Sequence, residues 1–183
     1  VHLHHPNRVY NGLKLASIMP TTHSPVTITL TEDERQQAMA EGVRRQAVNE
    51  SKGLRGRNRG PRYGQSALDV HLLGAAGEMA IASLLDAKQW LYQEVEAKRG
   101  SDDLPGIDVK TRSRHKYDLI VQKNENPNKK FVLVTIEDKT ILAHGWCYGE
   151  EAMKEEYWAD PARGRPAYFV PKEALRPINS LSI

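Results

Sequence analysis

The chain is 183 residues long, with 27% charged and 39% hydrophobic residues and a formal net charge of +3. That length suits one domain with a real core and is too short for two comfortable ones, and the composition is that of a globular protein rather than a disordered or fibrous one. The single cysteine, Cys147, excludes an intramolecular disulfide framework and a cysteine-rich zinc site, and its apolar context predicts a core position. No apolar run approaches the roughly 18 residues of a membrane span, and residues 1–25 lack the apolar segment of a signal peptide. The expectation is a cytoplasmic, intracellular protein with no membrane partner.

Residues 1–25 are rich in His, Pro, Asn, Thr and Ser without helical or strand period, which predicts a loosely docked tail. His2, His4 and His5 lack acidic or cysteine partners nearby and are not read as a metal site. Residues 26–65 are read as a helix followed by a basic loop. Thr31 and Glu34 form a capping-box pattern with acids in the first turn, so a helix is predicted to about Asn49. Its apolar positions Ala38, Met39, Val43, Ala47 and Val48 make a thin stripe, predicting a place on the rim of the domain. In Lys52–Gly64, glycines interleave with Arg55, Arg57, Arg59 and Arg62. Gly and Pro oppose regular structure, and the crowded arginines predict a flexible loop that orders on phosphate. The main cluster of acids, Glu150, Glu151, Glu155, Glu156 and Asp160, lies far away in the sequence, so the local basic block points to a polyanion more than the net charge does.

The remaining 66–183 is read as the core with a C-terminal extension. Leu68, Leu72, Leu73, Ala76, Met79, Ala80, Leu84 and Leu85 recur at three- and four-residue spacing and predict a helix over about 66–87, laid on a sheet. Gly74 and Gly77 inside it each cost roughly 1 kcal/mol relative to Ala, which suggests close approach to another backbone. Strands are predicted at Trp90–Val95, Ile107–Arg112, Tyr117–Gln122, Phe131–Ile136, Ile141–Tyr148 and Tyr168–Val170, with turns at 124–128 and 137–139. A short helix is expected over Glu150–Trp158 and one helical turn over Pro171–Leu175. The predicted class is α/β (α+β), with a central mixed sheet of about five strands flanked by the two long helices.

The stretch with the most chemistry is Gly100–Arg112. Ile107, Val109 and Thr111 alternate with Asp108, Lys110 and Arg112, so a strand would put Asp108 and Lys110 on one face, with Asp102 and Asp103 just upstream of a Pro-Gly bend. Two carboxylates and a lysine suit metal-assisted phosphodiester chemistry, in which hard oxygens hold Mg²⁺ and a point charge steadies developing negative charge. Fully extended, Asp103 and Asp108 would stand about 16 Å apart, too far for one ion, so Pro105-Gly106 is expected to fold the chain back.

The run Asp103-Leu-Pro-Gly-Ile-Asp108-Val-Lys110 resembles the active-site signature of the PD-(D/E)xK nuclease superfamily, in a short spacing similar to small phage-type and mobile-element endonucleases. The resemblance covers roughly residues 66–150 and implies a restriction-endonuclease-like core. It implies Mg²⁺, with Mn²⁺ as a substitute, held by Asp103, Asp108, the Val109 carbonyl and Glu78, the last supplied by the long helix. It also implies that Lys110 orients water, that Gln122 contacts the phosphate, and that DNA is the partner, with homodimers common among relatives. Arg112, Arg114 and Lys116 add positive charge beside the expected site. Two other classes stay open: an inactive nuclease-fold module that binds nucleic acid, and an interaction protein whose Asp108–Lys110 pair is a surface ion pair worth at most about 1 kcal/mol.

Overall fold

The computed structural model describes residues 23–53, 66–92 and 102–183. The expected Arg/Gly loop, most of the N-terminal stretch and residues 93–101 lie outside them, so Arg55, Arg57, Arg59 and Arg62 have no described position.

The described chain is a mixed α/β fold in three layers. Helix α2 (Ala67–Leu84), with α1 (Glu32–Ser51) packed against it, covers one face of a four-stranded sheet ordered β1 (Val26–Ile28), β5 (Thr140–Tyr148), β4 (Lys130–Glu137), β2 (Ile107–Arg112). A second sheet of β3 (Leu119–Val121), β7 (Ala167–Val170) and β6 (Trp158–Ala159) covers the other face. β2 runs parallel to β4, whereas β4–β5 and β5–β1 are antiparallel. Alternation along β4 explains the two cores: Val132 and Val134 pack with Met79, Ile81, Ile107 and Val109 on the helix side, while Phe131 and Leu133 pack with Leu119, Val121 and Val170 on the other.

Local signals account for most boundaries. Thr31 caps α1 by accepting from the Glu34 N–H at 3.2 Å, and Glu34 accepts from the Thr31 N–H at 2.8 Å. Ser66 and Asp69 form the same reciprocal box at the start of α2. Phe131–Ile136 lies at the sheet centre between β5 and β2, and Cys147 is buried on β5.

Several expectations are corrected. The main sheet has four strands, because the last expected strand pairs with β3 in a separate sheet. Of the strand expected over Trp90–Val95, Trp90 ends a 3₁₀ turn (Lys88–Trp90) and Leu91 and Tyr92 lie in a turn, while residues 93–95 lie outside the described residues. The expected helix over 150–158 is reduced to α3 (Gly149–Ala152), a 3₁₀ turn over Glu155–Tyr157 and the start of β6. Met39 and Val43 are exposed, and α1 instead buries Glu34, Ala38, Glu41 and Gly42. A small, charged face is buried because α1 packs close to α2: a Cβ on Gly42 would lie 2.8 Å from Leu72 Cα. α2 reaches a mean hydropathy of 1.3 over 18 residues, enough by length and composition for a membrane span, contrary to the reading of the runs. Its apolar residues from Ala75 to Ala82 are spent between α1 and the sheet.

The seat of α2 on β2 depends on Gly77. A Cβ there would fall 1.9 Å from Thr111 Oγ1 and 2.9 Å from Thr111 Cβ, so turning the threonine side chain does not relieve the clash. Gly74 meets no such neighbour. The Gly77→Ala protein is expected to lose about 1–3 kcal/mol despite the better helix propensity of alanine, as read by urea denaturation; a gain in stability would refute the close seat.

Candidate active site

Pro105-Gly106 forms the tip of a two-residue hairpin. The Ile107 N–H donates to Leu104 O at 2.9 Å, and the Asp103 and Leu104 N–H groups both donate to Ile107 O, at 3.0 and 3.2 Å. Gly106 sits at φ +71, the left-handed conformation that the second corner of a type II turn requires. Asp102 braces the tip by accepting from the Gly106 N–H at 2.9 Å. The reversal carries the Asp103 carboxylate back along β2, where Oδ2 accepts from the Val109 N–H at 2.7 Å. Among the described residues β2 has a strand on one side only, and the Val109 carbonyl, on the same side of the strand as its N–H, faces this outer edge.

Asp108 and Lys110 share a face as expected, with Lys110 Nζ 2.8 Å from Asp108 Oδ1. Two residues not singled out in the sequence complete the arrangement. Glu125, in the β3–β4 loop, brings Oε1 within 3.1 Å of Lys110 Nζ. Lys129, buried just ahead of β4, places Nζ 2.7 Å from Asp102 Oδ1 and 3.7 Å from Asp108 Oδ2. Burial alone would depress the Lys110 ammonium, but Asp108 and Glu125 outweigh it and raise its pKa; for Lys129, Asp102 and Asp108 do the same. Both lysines are therefore cations at neutral pH and act by charge, not as bases.

Glu78 approaches from the helix layer. The tight seat of Gly77 on Thr111 lowers the next residue toward the β2 edge. Both Glu78 oxygens are taken by Arg45 of α1, whose Nη1 and Nη2 donate to Oε1 and Oε2 at 2.7 Å each, while its Nε donates to Glu41 Oε1 at 2.7 Å. Tyr92 closes the pocket, its ring 5.8 Å from the Arg45 guanidinium carbon and its hydroxyl donating to Ala75 O at 2.7 Å. Burial works against the Arg45 charge, yet Glu78 and Glu41 more than offset it and its pKa is raised. Glu41 stands one helical turn before Arg45, a visible pairing signal; nothing local pointed to Glu78 as its second partner.

Asp103 sits between these groups. Burial, then the charges of Glu78 and Asp108, push its carboxyl up to about 8. Burial and the two neighbouring acids both disfavour the ionised form, which a bound divalent cation would favour, and the hard oxygens of Asp103, Asp108 and Val109 suit Mg²⁺. As they stand, no three Asp, Glu, His or Cys side chains among the described residues are grouped to hold an ion. Arg45 occupies Glu78, and Lys110 and Lys129 flank Asp108.

The expected nucleic-acid contacts lie farther along the same strand and beyond it. Arg112 is half-buried, donating to Asp118 O at 2.8 Å and stacking 4.7 Å over the Tyr117 ring. Arg114 pairs with Glu137 at 2.9 Å, and Lys116 is exposed near Tyr117. Gln122 is exposed past the end of β3 and its carbonyl accepts from the Glu125 N–H; the side chain of this loop that contacts Lys110 is that of Glu125. His71 bonds Asn49 at 2.9 Å, as a structural histidine would, and His115 and His144 both bond the buried Thr135 hydroxyl at 2.7 Å.

Two outcomes follow from the charges. Replacing Arg45 by Met leaves Glu41 and Glu78 buried without their shared cation and should cost about 3–5 kcal/mol in denaturant unfolding; a loss below about 1 kcal/mol would show that solvent replaces the pair. For Asp103, the unfolded carboxyl titrates near 4 and the folded one near 8, so between these values folding takes up a proton and stability falls as pH rises. The Asp103→Asn protein should match wild type near pH 4 and exceed it by at least about 1 kcal/mol at pH 8, measured as unfolding free energy across that range. An unchanged difference between the two pH values would contradict the elevated carboxyl.

No family model matches the chain, and neither does any curated protein or any solved structure.

Proposed function

We propose that the protein is a metal-dependent nuclease that hydrolyses DNA phosphodiester bonds, built on the PD-(D/E)xK plan that Asp103, Asp108 and Lys110 resemble. The observation that carries this reading is the hairpin that returns the Asp103 carboxylate to Val109, beside the Asp108–Lys110 pair on the open edge of β2. Asp103, Asp108 and the Val109 carbonyl would hold Mg²⁺ or Mn²⁺, which when bound polarises a phosphoryl oxygen and makes hydroxide available near neutral pH. Lys110, charged and anchored between Asp108 and Glu125, orients the attacking water and offsets negative charge on the phosphoryl oxygens. Water adds to phosphorus as one P–O ester bond breaks, giving a phosphate monoester and an alcohol. Glu78 acts from behind Asp103, by its charge and through Arg45, which ties α1 to the site. Arg112, two residues beyond Lys110 on the same face, extends positive charge along the path of a bound strand, with Arg114 and Lys116 near the strand end.

A second reading, a nuclease-fold module that binds DNA without cutting, is favoured by the ion pairs that already engage Glu78 and Asp108. Cleavage of supercoiled, linear, single-stranded and branched DNA with Mg²⁺, with Mn²⁺ and with chelator separates the two. Metal-dependent cutting is expected, reduced at least about 100-fold in Asp108→Ala and Lys110→Ala, with DNA binding retained in Asp108→Ala. Salt-sensitive binding with no cutting of any substrate would establish the binding module instead.

A further inference from the structure

The small sheet carries an aromatic row that neither core uses up. Trp158 on β6 is the direct cross-strand partner of Tyr168 on β7, and Tyr168 is the partner of Val121 on β3. Directly opposed residues project to one face, and Val121 is buried against the main sheet. Tyr168 and Trp158 therefore continue that inner face outward, Tyr168 half-buried and Trp158 38% exposed, with ring centroids 4.8 Å apart. Lys123, just past the end of β3, holds Nζ 5.9 Å from the Trp158 ring.

The row is tied to the candidate site by one short loop. Lys123 reaches Trp158, Glu125 contacts Lys110, and Lys129 contacts Asp102 and Asp108, all between β3 and β4. A phosphate held at Lys110 would thus have a neighbouring nucleotide within the span of this loop from an exposed indole. The charges beside the indole are mixed. Glu155 and Glu156 precede Trp158, and Asp160 is turned into its own loop, accepting from the Gly164 and Arg165 N–H groups at 2.6 and 2.9 Å. Acids here disfavour a phosphate over the ring but not a neutral base face, and Lys123 supplies positive charge on the side toward the site. Bases inside a duplex have both faces covered by their neighbours, so only an unpaired or terminal base can use such a ring.

We propose that Trp158, backed by Tyr168 and flanked by Lys123, stacks an unpaired nucleobase next to the scissile phosphate, so that single-stranded or frayed DNA is the substrate class. This rests on the nuclease reading for the phosphate, but the stacking itself is read without cleavage. The test is fluorescence anisotropy of a labelled oligothymidylate, an abasic oligonucleotide of the same length and a blunt duplex, all in chelator, with wild type, Trp158→Ala, Trp158→Phe and, as an exposed indole elsewhere, Trp90→Ala. Trp158→Ala should weaken oligothymidylate binding about 5- to 100-fold, the range expected for one base–aromatic stack, and Trp158→Phe should restore most of it. The abasic strand should bind wild type and Trp158→Ala alike, and the duplex and Trp90→Ala should show less than about a twofold change. An equal loss on abasic and base-bearing strands, or no loss with Trp158→Ala at all, overturns the stacking. Failure of the nuclease reading would show differently, as absent metal-dependent cutting with the Trp158 effect intact.

Discussion

Gly77 against Thr111 sets the distance between the helix layer and the sheet, and most of the candidate site follows from that distance. With the helix seated this closely, Glu78 comes near enough to Asp103 for their charges to interact, and two buried acids then need a cation from outside their own elements. Arg45 supplies it from α1, so the packing of α1 on α2 is itself partly electrostatic. A helix face of Glu34, Ala38, Glu41 and Gly42 is a poor hydrophobic stripe; it becomes intelligible as a face shaped to approach α2 and to present an arginine. Glu34 repeats the theme, bonding both its own cap and Lys88 beyond the end of α2.

Charge along the edge strand is arranged in alternation. Asp102, Lys129, Asp108, Lys110 and Glu125 follow one another in contact, so each lysine answers two acids. Asp103 sits near Glu78 and Asp108, and among the described residues its close donor is the Val109 N–H. Such an order keeps most of the cluster satisfied and leaves Asp103, buried beside other acids, as the carboxyl that holds its proton most tightly. Strong alternation also holds the lysine ammonium groups in place.

What could be read from the chain divides along the range of the interactions. The capping box at Thr31–Glu34, the Pro105–Gly106 reversal and the shared face of Asp108 and Lys110 are decided within a few residues, and each is visible as spacing. Arg45, Glu125 and Lys129 reach their partners across layers or along a loop, where no periodicity records the contact. The buried face of α1 is hidden for a related reason: it is set by small size and charge pairing, which apolar periodicity does not record. Three residues of β1 were too few to show a period, and the division of the strands into two sheets depends on pairing that only the folded chain makes.

The pairing of β1 with β5 joins residues as distant in sequence as Val26 and Ala143, and the parallel β2–β4 pair must wait for the segment between them to cross over. Loop closure of that kind is slow relative to helix formation, because its entropy is lost before the pairing rewards it. α1, α2 and the hairpin that joins Asp103 to Val109 can form early; Asp108 and Lys110 gain Lys129 and Glu125 only when β2 pairs with β4. The chain can therefore pass through states in which the helices and the edge hairpin exist but its carboxylates have not yet met Lys129. The full chain of alternating charges along the edge strand, on this topology, is assembled last, once β4 has paired with β2.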